Sequence, residues 1–233
     1  MIDTTEDATR DDAALGIDEA RALDEARQGF YRFLASIYKY ELSPDQIERM
    51  AHQHYPTDDP YLGTGYARIA EYLRHRDSGT RQELAVDYAR VFLNAGQYTK
   101  TMAPPFESVF TSADRLLMQD ARDGVLGHYR AEGLDLPSDN TIPEDHLSFE
   151  LEFMAELIGR AVVARDAGDD TRYDDLCEKQ RAFFDQHLMN WVPSFCDDVE
   201  KMAETDFYRG IAQITRGFIV MEDEMIGAIA PVV

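Results

Sequence analysis

The residues best suited to chemistry in this sequence are concentrated in two short segments. The first covers 103–110 and places aromatic, carboxyl and hydroxyl groups directly after two prolines: Pro104, Pro105, Phe106, Glu107, Ser108 and Phe110. Paired prolines prevent a helix from continuing and stiffen the chain into an extended turn. The segment therefore predicts either a rigid connector whose aromatic rings fill the core, or one wall of a groove that binds a peptide.

The second segment covers 143–154 and combines carboxyl groups with one histidine at the start of a predicted helix: Pro143, Glu144, Asp145, His146 and Glu150. With Pro143 in the first turn, Glu144 and Asp145 lie where the helix macrodipole stabilises negative charge. His146 and Glu150 are four residues apart and share a helix face. Side chains at this spacing are suited to three roles: an ion pair on a capped helix, the binding of a shared metal ion, or hydrogen bonds to a peptide backbone.

Signatures of common catalytic sites are absent from the sequence. It contains no glycine-rich phosphate loop, no Gly-x-Ser-x-Gly turn and no His-Glu-x-x-His zinc helix. His52 and His54 flank one glutamine, and two ligands at that spacing do not make a metal site. A helical metalloenzyme that uses His146 and Glu150 is an alternative, but di-metal bundles need Glu-x-x-His pairs, which the sequence lacks. We therefore expect a protein that is not an enzyme, with no catalytic residue, metal ion or cofactor.

The charge of the chain narrows the choice of partner. The 45 acidic residues outnumber the 23 basic ones and give a formal net charge of −22. Nucleic acids and anionic membrane surfaces are disfavoured as partners, because both require clustered lysine and arginine. A cationic or arginine-bearing partner is compatible with this charge. The same excess of acidic residues is also typical of proteins from salty or GC-rich hosts.

Several features predict a cytoplasmic protein that does not insert into membranes. Cys177 and Cys196 have neither metal-binding nor redox-motif spacing and are expected to be free thiols. Residues 1–20 are polar and acidic, lack the apolar core of a secretory leader, and predict a mobile tail. A run of about 18 apolar residues, as a membrane span requires, is missing. Residues 21–233 are predicted to form one domain.

Helical periodicity dominates the chain after this tail. Apolar residues recur at helical spacing over 30–38, after Pro143 and over 205–228. Strand-like alternation bounded by turn residues is not evident. The predicted fold class is therefore all-α, a single-domain multi-helix bundle.

Local signals predict where some of these helices begin and end. Capping boxes are predicted at 43–46 and at 80–83, since each has a hydroxyl residue followed three positions later by Gln or Glu. A further helix is expected over 112–132, with Gly133 as its stop. The Pro, Ser, Asp and Asn content of 134–141 predicts a loop.

Taken together, the two segments resemble the TorD/DmsD/NarJ family of redox-enzyme maturation chaperones. The Pro-Pro-aromatic-x-Ser-Val-aromatic pattern at 104–110 is similar to that family's loop motif. The Pro-x-Asp-His-x-x-x-Glu-x-Glu-Phe-Met pattern at 143–154 is similar to its second and more specific motif. Supporting likenesses are the helix end at 87–92 and the order of aromatic residues over 187–208. The resemblance covers about residues 28–225.

The resemblance implies an all-helical, non-catalytic TorD-like chaperone of the cytoplasm. Such chaperones bind the twin-arginine leader, with the apo body as a further contact, of a molybdenum-cofactor oxidoreductase of the DMSO reductase superfamily. They hold back export until the cofactor is inserted and the enzyme is folded. By motif position, seven residues correspond to the leader-binding region: Pro104, Pro105, Phe106, Ser108, Asp145, His146 and Glu150. Several relatives carry Trp where this chain has Phe106. The alternative function is that of a NarJ-type assembly factor for a nitrate reductase or related subunit. The chain is expected to be a monomer or a domain-swapped dimer.

The chemistry of these residues agrees with a leader-binding groove. A twin-arginine leader joins two guanidinium groups to an apolar stretch, so a complementary groove needs carboxylates beside hydrophobic walls. The candidates are Asp145 and Glu150 with Glu144 or Glu107 as carboxylates, and Phe106, Phe110, Leu147 and Phe149 as walls. The groove is predicted between the 103–110 loop and a helix over 143–165, and a His146 with an ordinary pKa would make binding sensitive to mild acid. A scaffold protein without a groove is the remaining alternative, if both segments are only caps and connectors.

Overall fold

Ten helices account for the regular structure of the residues that the computed structural model describes, 17–93 and 102–229. In chain order they are α1 (Ile17–Lys39), α2 (Pro44–Ala51), α3 (Gly63–Arg74), α4 (Thr80–Phe92), α5 (Glu107–Thr111), α6 (Asp120–Ala131), α7 (Leu147–Asp166), α8 (Asp170–His187), α9 (Val192–Met202) and α10 (Asp206–Ile229). The predicted all-α fold class is confirmed. None of the helices within the described ranges is long and apolar enough to cross a membrane. The tail predicted for residues 1–20 lies largely outside the described residues.

The core forms around α7, which packs against α1 and α8. The apolar residues that recur at helical spacing after Pro143 are fully buried: Leu147, Leu151, Met154 and Ile158. Phe149 and Phe153 on other sides of the helix are buried as well, so α7 is enclosed by protein over most of its length. Helix α10 packs against α3 and α9, and its predicted stripe from Phe207 to Phe218 is buried too.

Several helix ends lie where the local sequence predicts them. Ser43 and Gln46 form the capping box of α2: the Gln46 amide donates to Ser43 Oγ (3.2 Å), and the Ser43 amide donates to Gln46 Oε1 (2.9 Å). Gly133 follows α6 with a φ of +68°, and Gly168 follows α7 with a φ of +69°. Glycine adopts this left-handed conformation without a steric penalty, which explains both stops. The loop predicted over 134–141 is also observed.

The capping box predicted at 80–83 is wrong. Thr80 is the first residue of α4, and Gly79 precedes it as an N-cap without a side-chain hydrogen bond. Asp77 organises this turn instead: its Oδ1 accepts from the Gly79 amide (2.8 Å), and its own amide donates to Thr80 Oγ1 (2.8 Å). The threonine hydroxyl is therefore used by the turn before the helix.

The helix predicted over 112–132 is shorter than expected. Helix α6 begins at Asp120, and residues 112–119 form an irregular loop. Arg115 and Met118 in that loop have φ values of 52° and 59°. These left-handed conformations are incompatible with a right-handed helix and end any continuation from α5.

Helix α7 begins later than predicted, because a contact with the 103–110 segment replaces the expected first turn. Pro143 lies before the helix, which starts at Leu147 with His146 as its N-cap. The Leu147 amide donates to the Pro105 carbonyl oxygen (2.8 Å). A tertiary hydrogen bond thus fixes the backbone at the point where the sequence pattern predicts helix.

Candidate functional site

The two chemically promising segments meet at one place, which we call the junction and define as residues 103–110 together with 143–150. Phe106 and His146 form an isolated antiparallel bridge at its centre. Beside the bridge, the Glu107 amide donates to the Asp145 carbonyl oxygen (3.0 Å). The structure therefore brings the two segments into direct backbone contact.

Asp145 holds the junction together through its side chain. It is fully buried, and its Oδ2 accepts from the Ser108 amide (2.9 Å), which satisfies a free amide at the start of α5. Its Oδ1 has no hydrogen-bond donor among the described residues. Ser108 Oγ in turn accepts from the Gln119 amide (3.1 Å). Asp145 thus positions α5 and, through Ser108, the end of the 112–119 loop.

His146 caps α7 in its neutral form. Its Nδ1 accepts from the Ser148 amide (3.1 Å) and lies 2.8 Å from Ser148 Oγ, and its ring packs edge-on to Phe106 with centroids 4.9 Å apart. Burial, together with the positive charge of Lys39, lowers the pKa of His146 to about 3. In the folded chain His146 therefore stays neutral in mild acid, and the condition for acid-sensitive peptide binding, an ordinary pKa, is not met.

Two further carboxyl groups, Glu107 and Glu150, lie behind the bridge. Glu107 accepts from His187 Nδ1 (2.8 Å) and from Asn190 Nδ2 (2.8 Å). Glu150 accepts from Trp191 Nε1 (3.2 Å). Burial raises the pKa of Glu150 well above its usual value, and neighbouring carboxylates raise it further. Its buried surroundings therefore favour the protonated form of Glu150.

Replacement of His146 by asparagine is expected to make folding less sensitive to acid. The pKa of the imidazole is 6.5 unperturbed and about 3 in the fold, so the unfolded chain binds the extra proton between these values and stability falls as the pH drops. Between about pH 7 and about pH 5.5, the wild-type chain should lose about 1 kcal/mol more unfolding free energy than the variant. Asparagine keeps a capping oxygen and does not titrate.

Urea denaturation at both pH values measures this difference. Glu150 has the opposite pH dependence, because its pKa is raised in the fold, but it is present in both proteins and cancels in the comparison. Equal losses of stability in His146→Asn and the wild-type chain would contradict a neutral, buried His146.

The junction is rich in buried carboxyl groups that have no lysine or arginine beside them. Glu107, Asp145 and Glu150 are 2%, 0% and 0% exposed. Among the residues described, none of the three forms a salt bridge with lysine or arginine. Glu144 differs, because it is partly exposed and pairs with the Arg122 guanidinium (Nη2 to Oε1, 3.0 Å). Buried carboxylates without a cation are unfavourable for folding, so the arrangement points to a function outside stability.

The predicted groove walls are only partly available at the surface. Leu147 and Phe149 are core residues, whereas Phe106 and Phe110 are half-buried. Since the loop is hydrogen-bonded to the start of α7, a peptide fits between them only if the loop is displaced. A peptide that binds without displacing the loop reaches the junction only from its outer face, where Pro104 and Phe106 are partly accessible.

Three residues that contact the junction from outside it were not identified by the sequence analysis: His187, Asn190 and Trp191. They come from the end of α8 and the turn that follows it, far along the chain from Glu107. Trp191 is the only tryptophan in the sequence, and a buried indole needs an acceptor for its N–H. That signal could have linked Trp191 to a carboxyl group, but not to Glu150 in particular.

A metal ion is poorly suited to the junction. Glu150 has a raised pKa, which favours its protonated form, whereas a carboxyl group that binds a metal ion must be deprotonated. Across the described part of the chain, no group of three or more His, Cys, Asp or Glu residues is placed to hold a metal ion. His52 and His54 are exposed.

Comparisons with known proteins show which proteins this chain is similar to. A family model described as nitrate reductase delta subunit matches residues 56–197, more than half of the chain. The chaperone protein TorD of Vibrio cholerae is 27% identical over 211 residues, which cover 86% of this chain and 92% of the relative. TorD of Vibrio vulnificus is 24% identical over 216 residues, which cover 89% and 98%. A solved structure from Archaeoglobus fulgidus is 19% identical, covers 84% of this chain and 93% of its own, and has a TM-score of 0.45, too low to establish a common fold.

Proposed function

The chain belongs to the nitrate reductase delta subunit family, and we propose that it is a cytoplasmic chaperone of redox-enzyme maturation. Its proposed ligand is the twin-arginine leader of a molybdenum-cofactor oxidoreductase of the DMSO reductase superfamily, with the apo body of that enzyme as a further contact. Binding holds back export until the cofactor is inserted and the enzyme is folded. The TorD relatives, which are named chaperones, support a binding role without catalysis.

The observation that carries this proposal is the negative charge of the junction. Glu107 and Asp145 are buried carboxylates without an arginine or lysine partner among the described residues. In a medium of low effective dielectric constant their field is weakly screened and extends to the adjacent surface. A peptide with two guanidinium groups supplies the positive charge that the junction lacks. The formal net charge of −22 should also speed the encounter with such a peptide.

A NarJ-type assembly factor is the second candidate, and the description of the matching family model favours it. Its client would be a subunit of a nitrate reductase or a related enzyme. The segment bound would then not need two consecutive arginines. Binding to a client segment that lacks the arginine pair, without binding to any twin-arginine leader, would select this candidate.

Replacement of Asp145 by asparagine is expected to weaken leader binding without loosening the junction. Asparagine keeps an oxygen for the Ser108 amide but removes the charge. A unit charge about 10 Å from a guanidinium, at an effective dielectric constant of about 20, contributes roughly 1.7 kcal/mol, so the affinity should fall by about tenfold. Fluorescence anisotropy of a labelled twin-arginine leader, taken from a neighbouring molybdoenzyme gene, measures the change.

Two further variants separate charge from position. Asp145→Ala also removes the cap of α5, so it should weaken binding and lower the melting temperature together. Asp174→Asn, at an exposed carboxylate of α8, removes the same charge far from the junction along the chain and should leave the affinity nearly unchanged. If Asp145→Asn binds as tightly as the wild-type chain, the buried charge does not attract the arginines.

A further inference from the structure

An apolar segment is exposed directly beside the junction. Leu116, Leu117 and Met118 are 54%, 45% and 59% exposed, and we call these three residues the ledge. The other large apolar side chains that are exposed in the described residues stand singly along the chain: Tyr40, Val86, Leu93, Val163 and Val220. A contiguous exposed apolar patch is typical of a surface that binds a partner, whereas isolated residues need no explanation.

The ledge is held in an exposed position by contacts on both sides. Before it, Arg115 stacks on the Phe110 ring (4.9 Å to the centroid) and pairs with Asp198 of α9 (3.3 Å). After it, the Gln119 amide donates to Ser108 Oγ (3.1 Å) and so ties the ledge to the junction.

The backbone conformation of this loop opposes folding, as does the exposure of its apolar side chains. Arg115, directly before the ledge, and Met118, its last residue, have left-handed φ values of 52° and 59°. Such conformations are uncommon for residues other than glycine and oppose folding. Because neither the exposure nor the backbone favours stability, the ledge is better explained by binding.

Acidic side chains surround the ledge in sequence. Asp114, Asp120 and Asp123 are exposed, and we call them the rim. They form no salt bridge with any residue the structure describes. Asp120 and Asp123 lie one turn apart on the first turn of α6, with Cβ atoms about 5–6 Å apart in such a pair. Two consecutive guanidinium groups can therefore meet two carboxylates there.

We propose that the ledge and the rim form the surface that takes the twin-arginine leader, with the apolar stretch of the leader on Leu116–Met118 and its arginines on Asp120 and Asp123. This inference rests on the proposed chaperone function and names the contact surface for it. Besides its charge, Asp145 helps to position this surface, because its hydrogen bond to Ser108 fixes Gln119 at the end of the ledge.

Charge complementarity selects this occupant over the others. A second copy of the chain in a two-fold contact would bring two acidic rims together, which is repulsive. An anionic membrane surface would be repelled for the same reason. A basic segment followed by an apolar one matches both parts of the surface.

Two triple variants and two matched controls test this surface with a fluorescein-labelled synthetic twin-arginine leader. Leu116→Ser/Leu117→Ser/Met118→Ser should weaken binding by at least about tenfold, whereas Val86→Ser/Val163→Ser, at two separate exposed valines, should change it by less than about threefold. All five positions carry exposed side chains, so circular dichroism should show an unchanged helix content.

The contribution of the rim to binding is tested with two variants that have the same net charge. Asp114→Asn/Asp120→Asn/Asp123→Asn should weaken binding by at least about tenfold at low salt. The control Asp45→Asn/Asp174→Asn/Glu178→Gln removes the same charge from exposed side chains elsewhere and should retain most of the affinity. Full affinity in both test variants, with normal binding by the wild-type chain, would overturn the ledge and rim but leave the chaperone function intact. Failure of the wild-type chain to bind the leader would overturn both.

Discussion

Replacement of Arg27 by methionine should lower the free energy of unfolding by about 3–5 kcal/mol, because it leaves the buried Glu222 carboxylate without its cation, whereas Asp24 keeps its salt bridge to Arg165. Arg27 is 3% exposed and donates two hydrogen bonds to Glu222 of α10, from Nε to Oε1 (2.8 Å) and from Nη2 to Oε2 (2.9 Å). Its Nη1 also donates to Asp24 (2.9 Å). Without the guanidinium, Glu222 keeps only the Tyr31 hydroxyl (3.0 Å) among the contacts described.

Urea denaturation followed by circular dichroism measures the effect. The double variant Arg27→Met/Glu222→Leu should recover a large part of the loss, because it replaces the buried pair by apolar groups of similar size. Arg181→Met is the matched control: Arg181 pairs with Asp185 (2.9 Å) near the surface, where an ion pair contributes about 0–1 kcal/mol. A loss below about 1 kcal/mol for Arg27→Met would mean that this network does not hold α10 to α1.

Helix ends that depend on neighbouring residues are readable from the sequence, and those that depend on distant contacts are not. The capping box of Ser43 and Gln46 is complete within four residues, so the pattern alone predicts it. The start of α7 is not predictable in this way. There the carbonyl oxygen of Pro105 binds the Leu147 amide, across a separation that no local pattern records.

The loop before α6 shows the same limit. No proline or glycine interrupts residues 112–119, so a helix over them is a reasonable prediction. The observed loop depends on the Arg115 contact with Asp198 and on the Gln119 contact with Ser108. Both partners lie outside the window on which helical periodicity is judged.

For the candidate site, the sequence indicates which segments matter but not how deeply they are buried. The patterns at 104–110 and 143–154 correspond to two halves of one junction. Residue type alone suggests that Asp145 and Glu150 are exposed, because carboxylates are seldom fully buried. Their burial depends on the enclosed position of α7 and on Trp191, which arrives from the turn after α8.

Exchange of both leader arginines for lysine should weaken binding by about a hundredfold, the largest change in affinity that we expect. A guanidinium group makes two parallel hydrogen bonds to one carboxylate, whereas an ammonium group is a compact point charge without that geometry. If each lost fork weakens binding by about tenfold, the two together give this factor. The exchange preserves net charge, so long-range attraction to the acidic chain is unchanged.

Calorimetric titration of the purified wild-type chain with the arginine and lysine forms of one leader is the measurement we would make first. Leader binding predicts micromolar or tighter affinity for the arginine form and about hundredfold weaker binding of the lysine form. Equal affinity for both forms would contradict recognition of the arginine pair by carboxylates. No binding to any twin-arginine leader encoded near the gene would contradict the leader-binding function itself and favour the assembly-factor candidate.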